Sequence, residues 1–160
     1  VISRRDEYPL SEKGPPTVLL VESNPTDADP LFEPLHDTTE STYLVDSGDE
    51  ALDFLRNHGV YSDSPHPNLF LLSTGLLTNT TAEDVLRAMA ETENLRGTPT
   101  VVLGEDENEE KIRRAYDLGA NAYIKKPTQR DGLCDTAETI TNFWIWTTEL
   151  PSRIDGDEGS

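Results

Sequence analysis

The sequence predicts a doubly wound α/β fold, a five-stranded parallel sheet between two helical layers, and three observations carry that prediction. Short apolar runs recur along the chain. Three of them (Val18-Leu19-Leu20-Val21, Leu69-Phe70-Leu71-Leu72 and Val101-Val102-Leu103) are uninterrupted, as strands buried on both faces must be. Each run is followed by a helical pattern, so the order is β-α five times over, which specifies right-handed crossovers. The length of 160 residues suits one domain with a sizeable core and leaves little room for a second.

The expected strands are 17–21, 42–45, 69–72, 100–103 and 122–124. Asn24-Pro25 opens the first helix well, since proline is tolerated at the first helical position, but Pro30 and Pro34 follow inside it. At about 3 kcal/mol per interior proline, this helix is expected to be short, kinked or broken. Ser47-Gly48-Asp49-Glu50 is a capping box before Ala51, Leu52 and Leu55, and Thr80-Thr81-Ala82-Glu83 is another before Val85, Leu86 and Met89. Asn108 caps a helix that buries Ile112, Ala115 and Tyr116 and ends near Gly119. Thr128 is the expected cap of the last helix, with Leu133, Ala137, Ile140 and Trp144 inward and Pro151 as its stop. The domain therefore spans 17–151, between a polar tail at 1–16 and an acidic one at 152–160.

Thirty-one Asp and Glu against thirteen Lys and Arg give a formal charge of −18. That excess repels nucleic acid and anionic membranes, so neither is expected as a direct partner. Disorder is a poor account of it, because apolar runs recur throughout the chain. With lysine scarce and threonine abundant, the composition resembles proteins of halophilic archaea, whose dense carboxylate surfaces are screened by salt. Cys134 is the only cysteine, so no intrachain disulfide and no thiolate zinc cluster can form. No leader is evident and no apolar run approaches the ~20 residues that span a bilayer, so a cytoplasmic location is expected.

In a sheet of this kind ligands bind beyond the carboxyl ends of the strands. The residues there are Glu22-Ser23, Ser73-Thr74-Gly75, Gly104-Glu105 and Lys125-Lys126-Pro127. Around them, Val18-Leu19-Leu20-Val21-Glu22-Ser23-Asn24-Pro25, Asp49-Glu50-Ala51-Leu52-Asp53-Phe54-Leu55 and Asp117-Leu118-Gly119-Ala120-Asn121-Ala122-Tyr123-Ile124-Lys125-Lys126-Pro127 resemble the receiver (CheY-like) domain of two-component response regulators, over roughly 17–150. Phe143-Trp144 and Leu150-Pro151 resemble the branch whose receivers stand alone and partner phytochrome-type kinases, and no DNA-binding output domain is expected.

The resemblance implies a flavodoxin-like three-layer sandwich and a particular chemistry. A carboxylate on strand three attacks phosphorus, and Mg²⁺ is held by it, by one member of an acidic pair and by a backbone carbonyl two residues on. A lysine pairs with the phosphoryl group, and a Ser or Thr after strand four reports it to an aromatic on strand five. Here Glu22 keeps the first acid and Gly75 the carbonyl, but Ser23 stands for the second acid, Ser73 for the phosphoacceptor and Gly104 for the Ser/Thr switch. Tyr123 and Lys126 keep their family identity, and Lys126-Pro127 should carry the family's cis peptide.

An intact site sums to near −2 and attracts a divalent cation; Glu22 and Lys126 sum to about zero. Mg²⁺ and aspartyl phosphorylation are therefore expected to be lost, and a buried Glu22–Lys126 pair is expected to tie strand ends together. Serine is a poor nucleophile without an adjacent base, and the sequence offers none. The leading expectation is a non-enzymatic receiver-like module that binds a protein of a signalling pathway, a sensor kinase or a downstream protein. It is also expected to form a homodimer, with the aromatic cluster Phe143, Trp144 and Trp146 in the interface. One Trp should be core and the other exposed or in contact with a partner.

Two other readings stay open. One is a still-switchable receiver in which displaced carboxylates, drawn from Glu105, Asp106, Glu107, Glu109 and Glu110, replace the lost ligands. The other is a flavin or nucleotide carrier, although the loop after strand one lacks phosphate-cradling amides and Glu22 repels a phosphate. His36, His58 and His66 show no metal-ligand spacing, and Cys134 has no basic neighbour in sequence to activate it.

Overall fold

The structure is a computed structural model that describes residues 15–77 and 79–151. The two expected tails lie almost wholly outside the described residues. Five parallel strands, β1 (Val18–Val21), β2 (Thr42–Val45), β3 (Leu69–Ser73), β4 (Thr100–Gly104) and β5 (Ala122–Lys125), form one sheet in the order β2-β1-β3-β4-β5. The uninterrupted apolar runs are the three inner strands and are buried along their whole length, whereas β2 and β5 sit at the edges and are partly exposed.

Alternate residues of each inner strand serve opposite faces. Leu19, Val21, Phe70, Leu72 and Val102 pack under α2 (Gly48–Arg56), α3 (Ala82–Glu91) and α4 (Glu109–Asp117). Val18, Leu20, Leu69, Leu71, Val101 and Leu103 pack under α1 (Pro25–Thr38) and α5 (Arg130–Ile140).

Contrary to expectation, α1 is a continuous helix of 14 residues despite Pro30 and Pro34. The two prolines sit one turn apart and forgo two backbone bonds. Leu31 and Leu35 are buried beside them against α5 and the sheet, and burial of each stabilises by about 1.5–3 kcal/mol, which offsets much of the prolines' cost. Asn24 caps it by accepting from the Thr26 amide.

The other caps are partly as expected. Ser47 accepts from the Glu50 amide, but the return arm of the box is missing because Glu50 accepts from the Tyr61 hydroxyl at 2.6 Å. The α3 box lies one residue further on, between Thr81 and Asp84, which leaves Thr80 to bond Asp49 and Glu83 to pair elsewhere. Asn108 caps α4 as read, through the amides of Glu110 and Lys111. Thr128 does not cap α5: Gln129 occupies that position and makes no side-chain cap bond. The last helix is α-helical only to Ile140 and continues as a π-helical segment, Thr141–Thr147.

Candidate functional site

The parallel register brings four strand ends to one edge. Val21 lies beside Leu72, Ser73 beside Leu103 and Gly104 beside Lys125, so the residues just beyond them converge. Backbone bonds fix those exits: Thr74 N to Leu103 O at 3.0 Å and Lys126 N to Gly104 O at 2.7 Å.

At the centre is the Glu22 carboxylate, 2% exposed. Its Oε1 accepts from Ser73 Oγ at 2.6 Å and from Lys126 Nζ at 2.9 Å, and its Oε2 accepts from the Asn24 amide at 3.0 Å. The expected Glu22–Lys126 pair is thus formed, but Lys126 also reaches Asp27 Oδ2 at 3.0 Å. The local sum is therefore −1 rather than zero (Glu22 and Asp27 against Lys126). Burial pulls the Lys126 ammonium down, yet hydrogen bonds to Glu22 and Asp27 outweigh it and hold the group above the usual lysine range.

Asp27 is the functional residue that sequence reasoning missed. Its one signal was an acid in the first turn of α1, whose start lies beside the end of β1.

Both serine hydroxyls are hydrogen-bonded within the protein. Ser23 Oγ donates to the Asp46 carbonyl at 2.6 Å and accepts from the Leu77 amide at 3.4 Å, stapling the loops after β1, β2 and β3. Ser73 is fully buried. It does face a carboxylate, which the sequence had not suggested, but that group also bonds the Lys126 ammonium and no solvent reaches the hydroxyl. Among the described residues no group of three or more His, Cys, Asp or Glu is placed to hold a metal ion. The donor set does not fit Mg²⁺: a lysine ammonium already occupies the acidic pair, and hydroxyls stand where two further carboxylates are needed.

Gly104 pairs with Lys125 at the end of β4 and carries no side chain there. The Tyr123 ring lies over it, so that a Cβ built there would fall on the phenol, and the hydroxyl donates to the Asp106 carbonyl at 2.8 Å. Burial pushes the Tyr123 hydroxyl up, and the nearby Asp106 carboxylate adds to the effect. Tyr116 lends its hydroxyl to the Tyr123 amide at 3.1 Å. Of the acidic run, Asp106 pairs with Lys111 at 3.0 Å and Glu105 folds over Gly75.

The Lys126-Pro127 peptide is trans, not cis, as no cis bond occurs among the described residues. Trans is the favoured isomer by about 0.5–1 kcal/mol, and the Lys126 amide meets Gly104 O without needing the other.

The remaining candidates lie apart. Phe143, 52% exposed, stacks edge-on against Trp144, which packs on the core beneath α1 and α5; the π-helical segment rests on those two helices. Neither Trp is fully buried or fully exposed, and Trp146 has a buried indole N–H without a partner among the described residues. His36 stacks on Phe32, His66 meets Thr98, and His58 is on the surface, so the histidines do not converge.

No protein-family model matches the chain. Response regulator Rcp1 of Synechocystis sp. is 33% identical over 144 residues, covering 88% of this chain and 97% of that protein. A probable methanogenesis regulatory protein, FilR2 of Methanothrix harundinacea, is 34% identical over 145 residues, covering 89% and 92%. Among solved structures, the Mn²⁺-bound form of Rcp1 superposes with a TM-score of 0.78 at 32% identity, covering 86% of this chain and all of that one. The phosphorylated cyanobacterial phytochrome response regulator RcpA does so with 0.80 at 33%, covering 87% and 100%.

Proposed function

Because the chain belongs to the response-regulator receiver family of two-component signalling, we propose that it works there as a phosphorylation-independent protein-binding module. One observation carries the reading: Lys126 is bonded at once to Glu22 and Asp27, with Ser73 donating to the same Glu22 oxygen. An internal ammonium thus stands among the carboxylates that would otherwise attract a divalent cation, and the phosphoacceptor position holds a buried hydroxyl. The strand-five aromatic is set without any phosphoryl group, since Tyr123 is held over Gly104 by its bond to Asp106.

The module is a binder and not an enzyme. Its partner is a protein of the pathway, a sensor kinase or a downstream component, and the α4–β5–α5 face, fixed by Tyr123, is its output surface and its homodimer contact. A cytoplasmic setting is part of the proposal; no helix among the described residues is long and apolar enough to cross a membrane. Calorimetric titration with Mg²⁺ tests the reading. The wild type should give no binding heat, and Ser23→Asp/Ser73→Asp should restore it by returning two charges. Millimolar or tighter binding by the wild type defeats the proposal.

A further inference from the structure

Beside the strand-end site Glu105 makes a contact that loss of the site's carboxylates does not explain. Glu105 is the first residue after β4, and its amide is directed at Thr74 Oγ1 at 3.3 Å while Thr74 is itself bonded to Leu103. The Glu105 carboxylate folds back over the loop after β3 and lies against Gly75, where it occupies the space that a Cβ on Gly75 would take. Gly75 is not among the glycines with positive φ, so its backbone suits any residue. The space a side chain at 75 would take is filled by the Glu105 carboxylate, the far end of an exposed side chain. Gly75 is the position whose carbonyl would face a metal, one residue beyond Thr74 and two beyond Ser73.

We propose that Glu105, folded over Gly75, is an anionic plug that bars phosphodonors from the strand-end site. The inference rests on the proposed reading of this site and adds its regulation: the Lys126 ion pairs stand in the way of a divalent cation, and Glu105 separately keeps out the phosphodonor. The physics is charge and volume together. A phosphodonor brings a dianionic phosphoryl group, which must approach beside the end of β3, and a carboxylate lying there repels it as well as filling the path.

The test restores the chemistry and then removes the plug. Full-length Ser23→Asp/Ser73→Asp is compared with Ser23→Asp/Ser73→Asp/Glu105→Ala and with the Glu105→Gln triple variant, using Mg²⁺ and acetyl phosphate. In the reaction the carboxylate oxygen installed at 73 bonds to phosphorus, the donor's P–O bond breaks, and acetate leaves with the electron pair. With Mg²⁺ affinity and thermal melts alike across the set, the Ala variant should be phosphorylated about tenfold faster or more, and the Gln variant should fall between. Equal rates, a slower Ala variant, or no phosphorylation of any Mg²⁺-binding variant overturns the plug.

Should the double variant fold without binding Mg²⁺, accessibility is read on Ser73→Cys/Cys134→Ser. Its thiol should react about tenfold faster with an anionic methanethiosulfonate once Glu105→Ala is added, and by a smaller factor with a neutral one; unchanged rates again overturn it. Phosphorylation of the wild type is a separate outcome that defeats the underlying reading, while the ratio between variants still judges Glu105.

Discussion

Replacing Lys126 by Met removes the ammonium but keeps most of the volume, and leaves Glu22 as a charge buried to 2% exposure. Breaking a buried pair in this way costs about 3–5 kcal/mol. The Glu22 carboxylate keeps its bonds from Ser73 and from the Asn24 amide, and Asp27, with a side chain 14% exposed, can turn to solvent. The lower end, about 3 kcal/mol, is therefore expected, a fall in Tm of about 6–12 °C for a chain of this size.

The companion variant, Lys126→Met/Glu22→Gln, carries no buried charge at these positions. It should regain about 2 kcal/mol of that loss, because what the single variant suffers is the unpaired carboxylate and not the missing bond. Thermal and urea melts at 2 M or higher salt measure all three proteins. A single variant within about 1 kcal/mol of wild type, or a double variant no better than the single, refutes the assignment of Lys126 as the counterion of this pocket.

Other outcomes follow from the same geometry. Gly104→Thr puts a side chain where the Tyr123 ring lies and breaks the bond to Asp106; it should cost about 1–2 kcal/mol, turn the ring outward by NMR and weaken partner binding. With −18 formal charge, lengthening the Debye radius from about 3 Å at 1 M salt to about 30 Å at 0.01 M should cause a large loss of thermal stability, and a flat profile would refute salt adaptation. Stability should also fall in alkali: Lys126 is held above its ordinary range, Tyr123 likewise, and Tyr61 is pushed up to about 12 chiefly by its hydrogen bond to Glu50. All three groups bind more protons folded than unfolded above about pH 10, so their contribution is complete below that pH and is lost as pH rises through the folded values.

The sheet was legible because its inner strands are apolar without interruption, a pattern few alternatives share. Boundaries agreed to within a residue, as at β3, which extends to Ser73 instead of ending at Leu72. Local chemistry was less legible where two neighbours offered the same group. Thr80 and Thr81 can both cap α3, and only the packing of Thr80 against Gly48 and Asp49 selects Thr81. The prolines of α1 read as breakers because a sequence shows their backbone cost but not the burial of Leu31 and Leu35 that offsets it. At the site, Glu22, Ser73 and Lys126 could be placed together by motif, and Glu105 could be placed at the strand ends as one of several candidate acids, whereas Asp27 could not. Asp27 is an ordinary surface acid by sequence, and only the passage of α1 beside the end of β1 brings it in; among the acids after β4, the turn selects Glu105 to lie against Gly75.

The central claim is that this receiver has no aspartyl phosphorylation to respond to. Intact-mass measurement of the full-length wild type after incubation with Mg²⁺ and a small-molecule phosphodonor, at high salt, tests it most directly. The mass should be unchanged, while the phosphorylated fraction of a receiver with an intact site rises in parallel. A phosphoryl adduct on this chain that hydroxylamine removes would contradict the account.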